Sequence, residues 1–235
     1  MKTEEYQKDN PFGLETDSDF HRTRRNTTIS LVHSISVKKE RIKILDVGCG
    51  KGYITSLIKE KVTKVDIDAI DISEKAIEIA KNSLVEINFS VADAMIFKGY
   101  GYGYDIILLN NIYEHVENPT GMLINLKNYL NDDGVFIIST PNRYYIKNVL
   151  RKFFGLKIVI PNYHITEYSI GQIFDHHLHS GLKIRNIILP EFKREKLKLL
   201  DIIVFKIIQP IADLYFRLLN SRTRLGSLLF VISSK

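Results

Sequence analysis

Apolar and polar positions along this chain alternate between short apolar runs and longer mixed segments. Ile42–Val47, Val65–Ile72 and Tyr104–Leu109 are nearly continuous apolar runs of strand length, as expected of strands covered on both faces. Asn88–Val91 and Val135–Ser139 read as two further strands. Tyr53–Val62, Glu74–Val85 and Pro119–Leu130 read as the helices between them, with Ser73 placed as the N-cap of the second. Tyr144–Phe154 and Ser169–Ser180 read as helices too, the latter ended by Gly181, and Leu182–Leu189 and Ser227–Ile232 as a sixth and a seventh strand. Alternation on this scale predicts an α/β fold with a doubly wound, Rossmann-like sheet of seven strands and a helical insert before the last.

The junction between the first strand and its helix carries the most chemistry. In IKILDVGCGKG, residues 42–52, Asp46 sits near the carboxyl end of the strand, and Gly48, Gly50 and Gly52 allow the backbone to turn sharply against a ligand. The spacing D-x-G-x-G-x-G differs from the dinucleotide pattern G-x-G-x-x-G, which accommodates a pyrophosphate at a helix N-terminus. A carboxylate beside the turn instead suits a ligand with positive groups, such as S-adenosylmethionine (SAM). Asp71 lies at the tip of the second strand, placed to accept from ribose hydroxyls, with Ile72 beside it; Asp66 and Asp68 read as edge or solvent-facing residues. Asp93 ends the third strand, where it would accept from an adenine amino group while the backbone N–H of Ala94 donates to a ring nitrogen.

The strings LDVGCGKG (45–52), NNIYEHVENP (110–119) and LKNYLNDDGVFIISTPNR (126–143) resemble the class I SAM-dependent methyltransferases, closest to the branch of the ubiquinone-biosynthesis O-methyltransferases. The resemblance runs from about Arg22 to Leu189. It implies that Asp46, Gly48, Cys49, Gly50, Asp71, Ile72, Asp93, Ala94 and Asn110 form the SAM site, and that Asn110, Asn111, Glu114 and His115 border the sulfonium and the acceptor. His115, aided by Glu114, would take a hydroxyl proton, since an imidazole titrates near neutrality. His164 is a second candidate acid or base, by similarity of position. The quinone branch has E-x-x-E-H, a pattern that holds magnesium; here Asn111 replaces the first glutamate, so no metal is expected. His176, His177 and His179 do not share a helix face and are not expected to bind a metal either.

Composition adds a compartment and a surface. The 235 residues read as one methyltransferase domain: an N-terminal helical cover at 1–40, a SAM-binding core and acceptor region at 41–189, an insert at 190–226 and the last strand at 227–235. In the cover, Asp19–Val37 reads as a helix over the pocket, with Arg22, Arg24 and Arg25 near its start; one of them would meet the cofactor carboxylate. Cys49 is the only cysteine, and its place in the glycine turn suits a small packing residue. The polar N-terminus lacks an apolar signal core, so a cytoplasmic location is expected. In the insert, LKLLDIIVFKII and IADLYFRLLN read as two apolar helices broken by Pro210 and flanked by Lys193, Arg194, Lys196, Lys198, Arg217, Arg222 and Arg224. Three uses are open: a peripheral membrane anchor, a homodimer interface, or a lid. The formal net charge of +6 lies partly in this segment, and no nucleic-acid motif accompanies it. The expected acceptor is a small or lipid-linked hydroxyl compound; a non-catalytic SAM-binding subunit is the alternative.

Overall fold

A computed structural model describes residues 18–235, apart from 84–85, 102, 159, 162–163, 192–198, 220 and 222. The expected reach of one helix to Val85, Asn162 and Tyr163 of the loop before His164, and Lys193, Arg194, Lys196, Lys198 and Arg222 lie outside the described residues.

The sheet is seven-stranded with the order β3-β2-β1-β4-β5-β7-β6. Its strands are β1 (Ile42–Val47), β2 (Val65–Asp71), β3 (Asn88–Val91), β4 (Tyr104–Asn110), β5 (Leu130–Pro141), β6 (Lys183–Ile188) and β7 (Leu228–Ser234). The first five are parallel; β7 runs antiparallel to both β5 and β6. Period two explains the unbroken apolar run of β1. Ile42 and Ile44 enter one core with Ile54, Ile58 and Ile77, whereas Leu45 and Val47 enter the other with Met122, Leu123 and Ile173.

Helices cover both faces: α1 (Asp19–Ser36), α2 (Tyr53–Lys61), α3 (Glu74–Ser83), α4 (Pro119–Lys127), α5 (Ile146–Phe153) and α6 (Ile170–Ser180). Ser73 Oγ accepts from the Ala76 N–H, as expected of the α3 cap. Ser169 and Gln172 form a reciprocal capping box on α6, and Gly181 closes that helix in the left-handed conformation.

Three elements depart from the sequence reading. β5 starts at Leu130 rather than Val135, because Leu130 pairs with Tyr104 while Val135 pairs with Ile106; the polar residues 131–133 bulge out between these contacts. Asp68 is interior, accepting from Tyr104 Oη and Asn88 Nδ2, both at 2.8 Å; only Asp66, paired with Arg41, is the surface residue expected. The apolar insert is not broken into two helices at Pro210. α7 (Leu199–Ile203), a π turn (Val204–Ile208) and α8 (Gln209–Leu218) follow one helical path through Pro210. Proline lacks an N–H and crowds the preceding turn, and a widened turn just before it relieves both problems without ending the helix.

Candidate active site

Strand order reverses between β1 and β4, which lie side by side while their following helices pass to opposite faces. Ligands of open α/β sheets bind at the carboxyl ends of such strands, and the residues singled out from the sequence gather there. Asp46, on the same face of β1 as Ile44, is turned towards α2, where Thr55 Oγ1 donates to it at 2.6 Å. Gly48, Gly50 and Gly52 all have positive φ, and a Cβ on Gly48 would sit 3.0 Å from the Ile112 side chain. The tight turn therefore requires glycine at that position. Asp71, 2% exposed, accepts from the backbone N–H of Gly50 and of Ser73, each at 2.8 Å. It thereby ties the end of β2 to the glycine turn. Asp93 Oδ1 accepts from the Met95 N–H at 2.8 Å, and Ala94 beside it is buried. Burial pushes the Cys49 thiol well above its ordinary value, in keeping with packing rather than nucleophilic chemistry.

The acceptor side begins at the end of β4. Asn110 Oδ1 accepts from Thr28 at 3.0 Å and from Ser139 at 3.1 Å, while its Nδ2 is buried without a hydrogen-bond partner. Asn111 adopts a left-handed backbone, with φ of 51°, which turns the chain into the short 3-10 helix Tyr113–His115. Glu114 is fully buried; Thr140 Oγ1 donates to its Oε2 at 3.0 Å, and its Oε1 has no hydrogen-bond partner. These orphaned polar atoms mark where a ligand would complete the bonding.

His164, the second candidate acid or base, is largely buried, its side chain 7% exposed. The backbone N–H groups of Ile165 and Thr166 donate to the Glu114 carbonyl at 2.9 and 3.3 Å, drawing the loop onto the 3-10 turn. His164 Nε2 then lies 4.0 Å from Glu114 Oε1, and its Nδ1 lies 3.3 Å from Glu167 Oε1. The His115 ring meets the His164 ring edge-on at 5.0 Å. Glu114, His115 and His164 thus converge. Sequence reasoning missed Glu167, which stands only three residues after His164 and has no motif of its own. It also left the arginine of α1 open: Arg24 is the buried one, and its charge reaches both Asp46 and Glu114.

One ligand atom from each of Glu114, His115 and His164 can be chosen so that all lie within 4.8 Å of one another. This set has one carboxylate where the E-x-x-E-H pattern has two, so it offers a hard cation less negative charge than the quinone branch does. The second histidine group does not converge. His177 is buried with Nδ1 2.7 Å from the Ile173 carbonyl, while the Nδ1 of His176 is 2.8 Å from Tyr113 Oη.

Burial dominates the electrostatics. It raises the Glu114 carboxyl to about 7, against the opposing pull of a backbone hydrogen bond, His164, Thr140 and Arg24. Burial likewise raises Asp46 to about 6, opposed mainly by the Thr55 hydroxyl. A carboxyl raised in the folded state is more readily ionised in the unfolded one. Its stabilising share is therefore full below about pH 4.5 and is lost as pH rises through about 7. For Glu114 that loss amounts to roughly 3 kcal/mol by the unit conversion. Glu114→Gln, neutral throughout, is expected to flatten this decline, as urea unfolding on either side of the window will measure.

A seven-stranded sheet with an antiparallel β7 and a glycine turn at its switch point defines the class: a Rossmann-like α/β domain. The chain belongs to the methyltransferase-domain family, whose profile matches residues 20–185, and the cofactor of that family is SAM. It is 34% identical over 125 residues to the ubiquinone biosynthesis O-methyltransferase of Rickettsia canadensis, covering 52% of this chain and 50% of that one. Against the malonyl-[acyl-carrier protein] O-methyltransferase of Bacillus cereus the identity is 32% over 124 residues, 49% of this chain and 46% of the other. The chain spans about half the length of the curated relatives it matches. Among solved structures, the plantazolicin methyltransferase BpumL superposes with a TM-score of 0.65 at 22% identity, covering 96% of this chain and 88% of that one. The magnesium protoporphyrin IX methyltransferase ChlM of Synechocystis PCC 6803 gives 0.63 at 15% identity, with coverages of 99% and 94%. At these identities the superpositions establish the fold.

Proposed function

We propose that this protein transfers the methyl group of SAM to a hydroxyl oxygen of a small or lipid-linked acceptor. The observation that carries this reading is the convergence of Glu114, His115 and His164, which can each offer an atom within 4.8 Å of the others. Both curated relatives named above are O-methyltransferases, which supports oxygen as the acceptor atom.

In this reading Asp71 accepts from the ribose hydroxyls, Asp93 accepts from the adenine amino group, and the Ala94 N–H donates to the ring. Asp46 and the glycine turn hold the amino-acid end, with Arg24 and Asn110 Nδ2 facing its carboxylate. The acceptor oxygen lies in line with the methyl–sulfur bond, and its alignment supplies much of the rate. As the new C–O bond forms and the methyl–sulfur bond breaks, His115 takes the hydroxyl proton. Glu114 and His164 line the same space, with Glu167 and Glu114 flanking the His164 ring.

Incubating the purified protein with methyl-labelled SAM and an extract of lipids and hydroxylated small molecules, followed by mass spectrometry, tests the reading. A labelled methyl ether is expected, in an amount that a chelator does not reduce. Label on nitrogen or carbon would overturn the oxygen assignment. Binding of SAM without any transfer would favour a subunit that serves a partner.

A further inference from the structure

We propose that the helix between β6 and β7, together with the tip of α5, forms a docking surface for an anionic lipid bilayer. The proposal deepens the functional reading by giving a lipid-linked acceptor its source, but vesicle binding and methyl transfer are measured separately, so each can fail alone.

The path Leu199–Leu218 has two apolar faces, and the domain uses only one of them. Val204, Phe205, Ile208, Ala212 and Phe216 recur on the inner side and pack with Ile146, Val149 and Leu150 of α5. The rings of Phe205 and Tyr145 lie nearly parallel there, 6.1 Å apart, and Lys147 Nζ pairs with Asp201 at 2.6 Å. On the outer side Leu199, Ile203, Ile207, Ile211, Tyr215 and Leu218 recur every three or four positions, with exposures from 39% to 77%. The π turn keeps residues four apart closer to one line than an α-helix would. α5 carries two further exposed apolar side chains at its tip. Phe153 stands one turn beyond Val149 and Leu150, on the side that faces the insert, and Phe153 and Phe154 are 80% and 70% exposed. Exposed apolar side chains recurring along a whole helix face, with two more at the tip of α5, mark an interaction site rather than ordinary surface.

Charge selects the occupant. Residues 190–226 contain eight Lys or Arg against four Asp or Glu, and two of those acids are engaged internally: Asp201 with Lys147, and Asp213 with the Leu225 N–H. No Asp or Glu lies between 134 and 166, whereas Arg151, Lys152 and Lys157 flank the two phenylalanines. A second copy of the same surface would bring like charges together. Anionic headgroups above an apolar layer complement both features, as for helices lying in a membrane interface. Among the described residues no helix is long and apolar enough to cross a membrane, so the helix lies in the plane. A cavity of about 180 Å³ opens where the insert rejoins the domain, lined by Asn142, Tyr144, Ser169, Thr223 and Arg224. It lies close to the loop of His164, since Arg143 Nη1 donates to the Glu167 carbonyl at 3.3 Å.

Co-sedimentation with vesicles of phosphatidylcholine, alone or mixed with phosphatidylglycerol, tests the proposal. The protein is expected to bind the mixed vesicles about tenfold more strongly, and raised salt should weaken that binding. The variant carrying Ile203→Asp, Ile207→Asp and Ile211→Asp should lose it while keeping the parent's SAM affinity and melting temperature. Phe205 is unsuitable for substitution because it packs inward. If the variant fails to fold, the phenylalanine pair replaced by serine gives the same test. A parent indifferent to both kinds of vesicle overturns the proposal. In that event, a parental dimer that the variant converts to a monomer in light scattering assigns the surface to self-association, and a monomer assigns it to a lid.

Discussion

Asp71→Ala will lower the affinity for SAM by about a hundredfold or more in a protein that still folds. Asp71 Oδ2 accepts from Gly50 and Oδ1 from Ser73, at 2.8 Å each, yet each carboxylate oxygen keeps a further acceptor site for a ribose hydroxyl. Hydrogen bonds to a charged group contribute about 1.5–3 kcal/mol apiece, so losing two reaches that scale, at 1.4 kcal/mol for each factor of ten. The substitution also frees the Gly50 N–H and loosens the turn that cradles the ligand. Asp71→Asn, which keeps one acceptor oxygen, should fall between the two. Calorimetric titration with SAM, alongside circular dichroism to monitor the fold, measures both effects. Parental affinity in a folded Asp71→Ala protein would remove Asp71 from the ribose site.

His115→Ala will reduce kcat by about a hundredfold or more, the usual scale for general-base catalysis, while SAM affinity stays within a few-fold of the parent. The separation follows from position: His115 stands on the 3-10 turn after β4, whereas the glycine turn and Asp71 belong to β1 and β2. His164→Ala should also lower kcat, because its ring lies edge-on to His115 at 5.0 Å and beside Glu114 and Glu167. If the two histidines act as a unit, the double variant will be little worse than the more damaging single one. Single-turnover kinetics with saturating SAM isolates the chemical step. Full turnover in folded His115→Ala would make His115 structural and shift the proton to His164.

The β1–turn–α2 unit was legible from local pattern because its constraints are local. A strand covered on both faces must be apolar at successive positions, and three glycines in the turn reflect three positive φ angles. Asp68 was misread because a carboxylate in a strand ordinarily faces water; Tyr104 and Asn88, which make its burial tolerable, are distant in the chain. The insert was misread at Pro210, since proline usually ends a helix and only the backbone conformation shows that a π turn absorbs it. Glu167 escaped notice for want of a pattern. Its role beside His164 depends on the hydrogen bonds that fold 164–168 back onto Glu114.

Sequence alone determined the order of strands and helices, the glycine turn with its acids, and the presence of a basic, apolar segment before the last strand. Those features follow from periodicity, backbone sterics and composition within a few tens of residues. Tertiary structure decided which arginine of α1 is buried, that Glu114 is buried and raised to about 7, and that His164 meets His115. It also decided which face of the insert helix is left outward. Each of these depends on partners far apart in the chain, because burial and desolvation belong to the packed assembly rather than to any segment of it.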